Sequence, residues 1–134
     1  MALQFFAYIT YNGGKADDSA LELLAAAKKI DAGAAVTAVV TGSGADLDAV
    51  CGELAGVFPA VWKISNAALA YPNGEVVKKA LANVVPAGSV VLIPHEHLAM
   101  DMAPGLSIKM NAVYVPDVVG VDGLDGNTLK IVRQ

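Results

Sequence analysis

The sequence predicts an α/β fold: a three-layer, doubly wound, mainly parallel sheet of strand order 3-2-1-4-5, followed by a C-terminal antiparallel hairpin. Short apolar runs alternate with segments of helical periodicity, which is the pattern of a parallel sheet with helices on both faces. Residues 90–93 are apolar throughout, as expected for a strand covered on both faces. The segment after Pro116 instead contains the turn sequences of a hairpin.

The first strand and the first helix can be placed from their ends. Residues 3–10 are rich in aromatic and β-branched residues and lead into the Asn-Gly-Gly sequence at residues 12–14, so they predict a strand and its loop. Ser19 and Glu22 have the spacing of a capping box, in which each side chain satisfies a free N–H group of the first turn. A helix is therefore predicted to begin near Ser19 and to end before Gly33.

The middle of the chain continues the alternation. The predicted second, third and fourth strands are residues 36–41, 61–64 and 90–93. Two helices separate these strands, one with apolar residues at helical spacing from Leu47 to Leu54 and one over residues 73–85. Cys51 falls on the inner face of the earlier helix. We interpret it as a small buried hydrophobe rather than a reactive thiol, because no cation or histidine is near it in sequence.

The last helix contains an Asp-x-Ala-Pro sequence from Asp101 to Pro104. Asp101 can satisfy free N–H groups in the first turn of a helix. Pro104 is tolerated without cost only in a first turn, so the helix is predicted to begin near Met100. An apolar fifth strand that ends in Pro-Asp-Val, residues 116–118, is predicted after this helix.

The tail from Pro116 is predicted to be a hairpin. Residues 118–121 and 128–132 are its strands, and Asp122-Gly123 and residues 125–127 have turn chemistry. The chain stops inside the second of these strands. Because domains seldom end flush with a strand that should pair, we expect a longer subunit.

Composition limits the class of protein. Hydrophobic residues make up 55% of the 134 residues and the mean hydropathy is +0.53, yet no apolar run approaches the length of a membrane span. The excess is therefore expected in buried strands and in an interface, either of a homodimer or with a different subunit. Nine basic and 13 acidic residues give a net charge of −4 without a basic stripe, which argues against nucleic acid. A single cysteine and the lack of a secretory leader pattern favour a reducing, cytoplasmic setting.

The turn at Gly42, Ser43 and Gly44 is a candidate ligand site. Ligands of doubly wound sheets gather at the carboxyl ends of the strands, and two glycines before a helix can present N–H groups to a phosphate. However, Leu47 stands where a dinucleotide fingerprint has its third glycine. The spacing of Ser43 and Asp46 is also that of a helix cap, so tight-turn duty is favoured over nucleotide binding.

His95 and His97 form a second candidate, on the loop after the fourth strand. Two histidines at i and i+2 could share a metal ion, but a zinc site needs a third protein ligand and no residue with ligand spacing supplies one, so no metal site is predicted. A proton-handling or ligand-facing role for one histidine stays open, because imidazole titrates near neutrality. The alternative is a polar loop with a histidine that caps a helix.

Three segments, in the same order, resemble the N-terminal domain of the electron-transfer flavoprotein alpha subunit. Residues 20–29 resemble its first helix, residues 39–45 its second strand and turn, and the Asp101-x-Ala-Pro sequence its last helix. The family pattern around that helix reads Gly-Arg-Asp-Leu-Ala-Pro-Arg-Leu-Ala. Met100 and Gly105 stand in place of the two arginines, so contacts that the family makes through those arginines are in doubt for this chain.

The resemblance implies one domain, residues 1–134, that acts as a non-enzymatic scaffold. It would pack on the electron-transfer flavoprotein beta subunit and help to position FAD for electron transfer from acyl-CoA or similar dehydrogenases, as in fatty acid beta-oxidation. FAD would be held mainly outside this chain. Candidate contacts of this domain with the cofactor are Gly42, Ser43, Gly44, His95 and His97. The alternative is a free-standing adenine-nucleotide-binding protein of the stress-protein type, which shares the α/β layout and glycine turn.

Overall fold

The computed structural model describes residues 4–69, 73–94, 96–116, 118–125 and 128–133. Eight strands and four α-helices follow one another along these residues. In chain order they are β1 (Phe5–Tyr8), β2 (Tyr11–Asn12), β3 (Lys15–Ala16), α1 (Ser19–Ile30), β4 (Val36–Gly42), α2 (Ala45–Ala55), β5 (Ala60–Ser65), a 3-10 helix (Ala67–Leu69), α3 (Gly74–Val84), β6 (Val90–Leu92), α4 (His97–Lys109), β7 (Val118–Asp125) and β8 (Thr128–Arg133).

The central sheet has four parallel strands in the order β5-β4-β1-β6. This order corresponds to 3-2-1-4 in the predicted scheme, so the α/β class and the doubly wound arrangement are confirmed. The fifth position is not occupied within the described residues, where residues 112–116 form no strand and β6 is an edge strand. The three residues of β6 are accordingly half-buried rather than fully covered.

Two hydrophobic clusters, one on each face of the sheet, make the fold three-layered. Successive side chains of a strand point to opposite faces, and Phe5 and Phe6 accordingly belong to different clusters. The Phe5 cluster includes Leu47 and Leu54 of α2 and residues of α1. The Phe6 cluster is formed with residues of α3 and α4. Helices on both faces explain why β1 is buried along its whole length.

The start of α1 differs from the predicted capping box. Asp18, not Ser19, precedes the helix as its N-cap, and Ser19 is the first helical residue. The Asp17 carboxylate accepts the Ser19 backbone N–H at 3.0 Å, so a residue before the helix takes the role expected of Ser19. In contrast, the predicted helix over residues 73–85 is confirmed as α3. Its N-cap, Asn73, accepts hydrogen bonds from the two backbone N–H groups that follow Gly74.

Helix α4 begins three residues earlier than predicted. It starts at His97, so Pro104 lies in the helix interior and Asp101 is beyond the first turn. The prediction that Pro104 marks the first turn was therefore wrong. Met100 and Pro104 are both exposed, so water can hydrate the Met100 carbonyl oxygen, which has lost its i+4 N–H partner. Tertiary packing of the buried side of α4, with Met102 wholly inaccessible to solvent, outweighs the local preference against proline.

Helices α3 and α4 approach each other closely at two glycines. A Cβ atom added at Gly74 would lie 3.3 Å from Asp101 Cβ, and one at Gly105 would lie 2.8 Å from Lys78 Cδ. The Asp-x-Ala-Pro sequence is thus part of a helix–helix contact.

The C-terminal hairpin is confirmed: β7 and β8 are antiparallel. Asp122-Gly123 is not a turn, however, because it lies inside β7. The pairing register shifts between Val121 and Gly123, and Gly123 has a φ of +108°, as in a bulge. Residues 126–127, part of the other predicted turn, lie outside the described residues, as does Asp117. In the described part of the chain, no helix is both long and apolar enough to cross a membrane.

Candidate functional site

Three parallel strands end side by side at the carboxyl edge of the sheet. β1 lies between β4 and β6. Strands β4 and β5 lie on one side of β1 and β6 lies on the other, so the strand order reverses between β1 and β6. This is the position at which open α/β sheets place their ligands. The candidate turn begins at Gly42, the last residue of β4, and His97 is the first residue of α4 after β6, so the two candidates lie on opposite sides of β1. His95 lies outside the described residues.

A buried pair of hydroxyl groups joins β1 to β4. The Tyr8 hydroxyl is 3.3 Å from Thr41 Oγ1, and both residues are buried. Burial raises the pKa of Tyr8 above its ordinary value of 10.0, and the hydrogen bond with Thr41 acts in the opposite direction with a smaller effect. The phenol therefore stays protonated at neutral pH, and the pair serves as a fixed polar link inside the sheet.

A second polar link crosses the switch point between β1 and β6. Thr10 Oγ1 donates a hydrogen bond to Glu96 Oε2 at 3.2 Å. Glu96 is the N-cap residue of α4, and its carboxylate is held by Thr10, two residues after β1, rather than by the N–H groups of its own helix. This contact fixes the start of α4 against the end of β1. His97 follows as the first helical residue, so the residue at the cap is Glu96 and not a histidine.

The glycine turn is covered by a tyrosine from the small β2–β3 ribbon. The Tyr11 hydroxyl donates to the Thr41 carbonyl oxygen at 3.0 Å, and a Cβ atom at Gly42 would overlap that hydroxyl. Gly42 and Gly44 both have positive φ, +153° and +85°. The glycines are thus needed for backbone shape and for the close approach of Tyr11, which occupies the space over Gly42.

The predicted helix cap from Ser43 and Asp46 was wrong. The N-cap of α2 is Gly44, and in the described structure no side chain caps this helix. Ser43 lies one residue before the cap position. Asp46 and Asp48 lie in the first turn, where carboxylates suit the positive end of the helix dipole.

The charges around this turn are unfavourable for a phosphate. The two carboxylates of the first turn of α2 already occupy the positive end of the dipole. The nearby cation, Lys63, is paired with Asp48 at 2.8 Å. Burial raises the pKa of Tyr11, and the negative charge of Asp46 raises it further by a smaller amount. A cofactor contact therefore stays a prediction for Gly42, Ser43 and Gly44. Their surroundings favour a purely structural role in a tight turn.

Cys51 is half-buried on α2, close to its predicted inner position. Burial raises the pKa of its thiol, while Lys63 lowers it by a smaller amount. The thiol is therefore poorly ionised at neutral pH, as expected for a packing residue.

A separate groove is not lined by Gly42, Ser43 or Gly44 of the candidate turn. It is an open groove of about 690 Å³ between α1, β6, α4 and the hairpin. Of the described residues that line it, Glu22 is the charged one, and no lysine or arginine contributes to its wall. Nor do three His, Cys, Asp or Glu side chains converge as metal ligands anywhere in the described ranges. Among its described residues the groove therefore offers no cation to a pyrophosphate.

No sequence motif marks the side chains that organise this edge. The hydrogen bonds at this edge are formed by Tyr8, Thr10, Tyr11, Thr41 and Glu96. Thr10 and Thr41 did carry a signal, since each is a polar residue at the end of a mainly apolar predicted strand.

The fold and this edge define a class: an open, doubly wound α/β domain with hydrogen bonds of its own side chains across its carboxyl edge. Residues 6–134 match the electron transfer flavoprotein domain, and the chain belongs to that family. The family resemblance seen in the sequence is therefore confirmed. A search of curated proteins found no match.

Proposed function

We propose that this chain is the N-terminal scaffold domain of an electron-transfer flavoprotein alpha subunit. In this role it packs on the beta subunit and helps to position FAD, which receives electrons from acyl-CoA or similar dehydrogenases in the cytoplasm. The observation that carries the proposal is the family match over residues 6–134. The Asp101-x-Ala-Pro sequence of α4 supports the assignment to the alpha subunit.

The environment of α4 supports a structural role for that sequence. Met102 is inaccessible to solvent and Ala103 is 5% exposed, while Asp101 lies against Gly74 at the start of α3. The positions of the two family arginines are filled differently. Met100 is an exposed apolar side chain, and Gly105 is covered by the side chain of Lys78. A domain with this helix contributes packing and shape rather than arginine contacts.

The flavin is held mainly by a neighbouring domain in this proposal. Tyr11 covers the glycine turn, and the large groove is lined without a cation in the described residues. The isoalloxazine supplies the redox chemistry, and this chain supplies a rigid surface beside it. Gly42, Ser43, Gly44, His95 and His97 stay candidates for peripheral contacts.

The test is a titration of the purified chain with FAD and with AMP, followed by reconstitution. We expect neither ligand to bind the chain alone with micromolar or better affinity. We also expect the chain to co-elute with an electron-transfer flavoprotein beta subunit and a flavin domain of the same organism in size-exclusion chromatography. A micromolar FAD complex of the chain alone would overturn the proposal. Tight binding of AMP without FAD would instead support the adenine-nucleotide alternative.

A further inference from the structure

The outer side of α4 carries three exposed apolar residues, here called the apolar stripe. Met100, Pro104 and Ile108 are four residues apart, so they follow one another along one side of the helix. All three are exposed, and Ile108 is 81% exposed. The opposite side of the helix is buried in a core cluster through Met102 and Leu106. Outward positions of a surface helix are normally polar, so packing within the described chain does not account for the stripe.

A second row of residues, Asp101, Gly105 and Lys109, runs beside the apolar stripe at the same spacing. It lies on the side of α3, because Asp101 is packed against Gly74 and Gly105 is covered by Lys78. Asp101 and Lys109 are exposed, and neither takes part in the salt bridges found among the described residues. The row therefore offers one negative and one positive charge, at opposite ends, to a partner.

Both rows match their own reversed copies. If a second copy of α4 lies antiparallel on the first with the two Pro104 residues opposite each other, Met100 of each copy is opposite Ile108 of the other. A twofold axis keeps the α3 sides of both copies on the same side of the pair, so Asp101 of each copy faces Lys109 of the other. Asp101 lies three residues before Pro104 and Lys109 lies five residues after it. This offset of two residues corresponds to about 3 Å along the helix axis, which a lysine side chain can span.

The charges select the antiparallel arrangement. A parallel pair of α4 helices would place Asp101 beside Asp101 and Lys109 beside Lys109, and like charges at short range repel. The antiparallel pair instead brings opposite charges together twice and also opposes the two helix dipoles. A surface that is complementary to its own copy in both apolar shape and charge is what a closed twofold contact requires.

We propose that the chain forms a twofold dimer through α4, in which the apolar stripe packs on its own copy and Asp101 of each copy pairs with Lys109 of the other. A contact centred on three apolar side chains per copy is small beside a standard interface, which buries about 800 Å² on each partner. We therefore expect a weak dimer, with a dissociation constant on the order of 100 μM. This inference rests on the chain alone and is independent of the proposed function, which requires no second copy.

Sedimentation equilibrium of the wild-type chain, up to a concentration of about 1 mM, tests the proposal. We expect a monomer–dimer equilibrium that Ile108→Asp weakens at least about tenfold, because a carboxylate would be buried in the contact. Val119→Asp is the matched control, since Val119 is 64% exposed but lies on the hairpin, and it should change the dissociation constant by less than about twofold.

Two results would overturn the dimer. One is a wild-type chain that stays monomeric up to about 1 mM, which would leave the stripe to a different protein. The other is an equal effect of Ile108→Asp and Val119→Asp on association, which would place the contact elsewhere.

Two charge reversals test the direction of the pairing. Asp101→Lys and Lys109→Glu should each weaken self-association at least about threefold, because each homodimer then holds two pairs of like charges. An equimolar mixture of the two variants should associate again about as strongly as the wild type, since both pairs are then of opposite charge. A mixture that associates no better than either variant alone, with unchanged far-UV circular dichroism, would show that the antiparallel pairing is wrong. The wild-type and Ile108→Asp measurements decide the proposal even if a charge variant does not fold.

Discussion

The Tyr11 hydroxyl lies over Gly42 and donates a hydrogen bond to the carbonyl oxygen of Thr41, the residue before that glycine, at 3.0 Å. A side chain at Gly42 would collide with this hydroxyl, and the φ of +153° is unfavourable for other residues. The glycine of the candidate turn is therefore required by the protein's own tyrosine, whether or not a ligand binds there.

We expect Gly42→Ala to lower the free energy of unfolding by about 2 kcal/mol, because backbone strain and the clash with Tyr11 act together. Urea denaturation followed by circular dichroism measures this change. Gly44→Ala is the matched control, since its Cβ atom would meet open space and only the strain at a φ of +85° remains. The loss of unfolding free energy caused by Gly42→Ala should also be smaller in a Tyr11→Phe background. An equal cost in both backgrounds would show that the tyrosine contact is irrelevant.

Alanine substitutions at the two glycines of the α3–α4 contact should change the free energy of unfolding in opposite directions. Gly105→Ala should raise the free energy of unfolding by about 0.5–1 kcal/mol, because alanine favours a helix interior and the flexible Lys78 side chain can move aside. Gly74→Ala should lower it by about 1 kcal/mol, because the new Cβ atom meets Asp101 Cβ at 3.3 Å and the backbone beside it. Thermal unfolding of both variants checks the pair. Stabilisation by Gly74→Ala would mean that the helices are farther apart.

The cap of α3 is expected to be a local source of stability. Asn73 Oδ1 accepts the N–H groups of Glu75 at 3.0 Å and Val76 at 3.3 Å, so Asn73→Ala should lower the free energy of unfolding by about 1 kcal/mol. Asn73→Asp keeps an acceptor in place and serves as the control. If urea midpoints of the alanine and aspartate variants coincide, the cap contributes nothing.

The free energy of unfolding should fall at alkaline pH because the buried Tyr8 hydroxyl loses its proton. Its folded-state pKa is raised above 10.0, mainly by burial, so the folded protein holds this proton more tightly than the unfolded chain. The contribution is fully present below pH 10.0 and is lost as pH rises through the folded-state pKa. Urea titrations between about pH 8 and pH 12 should therefore show a steeper decline for the wild type than for Tyr8→Phe. Parallel declines would argue that Tyr8 ionises as it does in the unfolded chain.

The alternation of strands and helices was readable from sequence because it depends on short-range patterns. Aromatic and β-branched residues predicted the first strand, in which Phe5 and Phe6 belong to different clusters, and apolar residues at helical spacing predicted the helix over residues 73–85. Strand order also followed, because a right-handed crossover leaves few ways to arrange successive parallel strands.

Competition between local and tertiary interactions decided where the helices begin and where a strand continues through a turn sequence. Pro104 locally favours a helix that starts near Met100, but the buried face of α4 extends the helix back to His97. Ser19 has the spacing of a cap, yet the Asp17 carboxylate reaches the first N–H group instead. Asp122-Gly123 has turn chemistry, but pairing with β8 continues through it as a bulge.

The sequence by itself determined the class of fold, its two-faced core and its family, since these depend on patterns repeated over many residues. Only the tertiary structure showed that Tyr11 covers Gly42 and that Thr10 holds Glu96 across the switch point. The Thr10–Glu96 contact joins residues 86 positions apart in the chain. No periodicity encodes such a contact, because it exists only once the parallel strands bring their carboxyl ends to one edge.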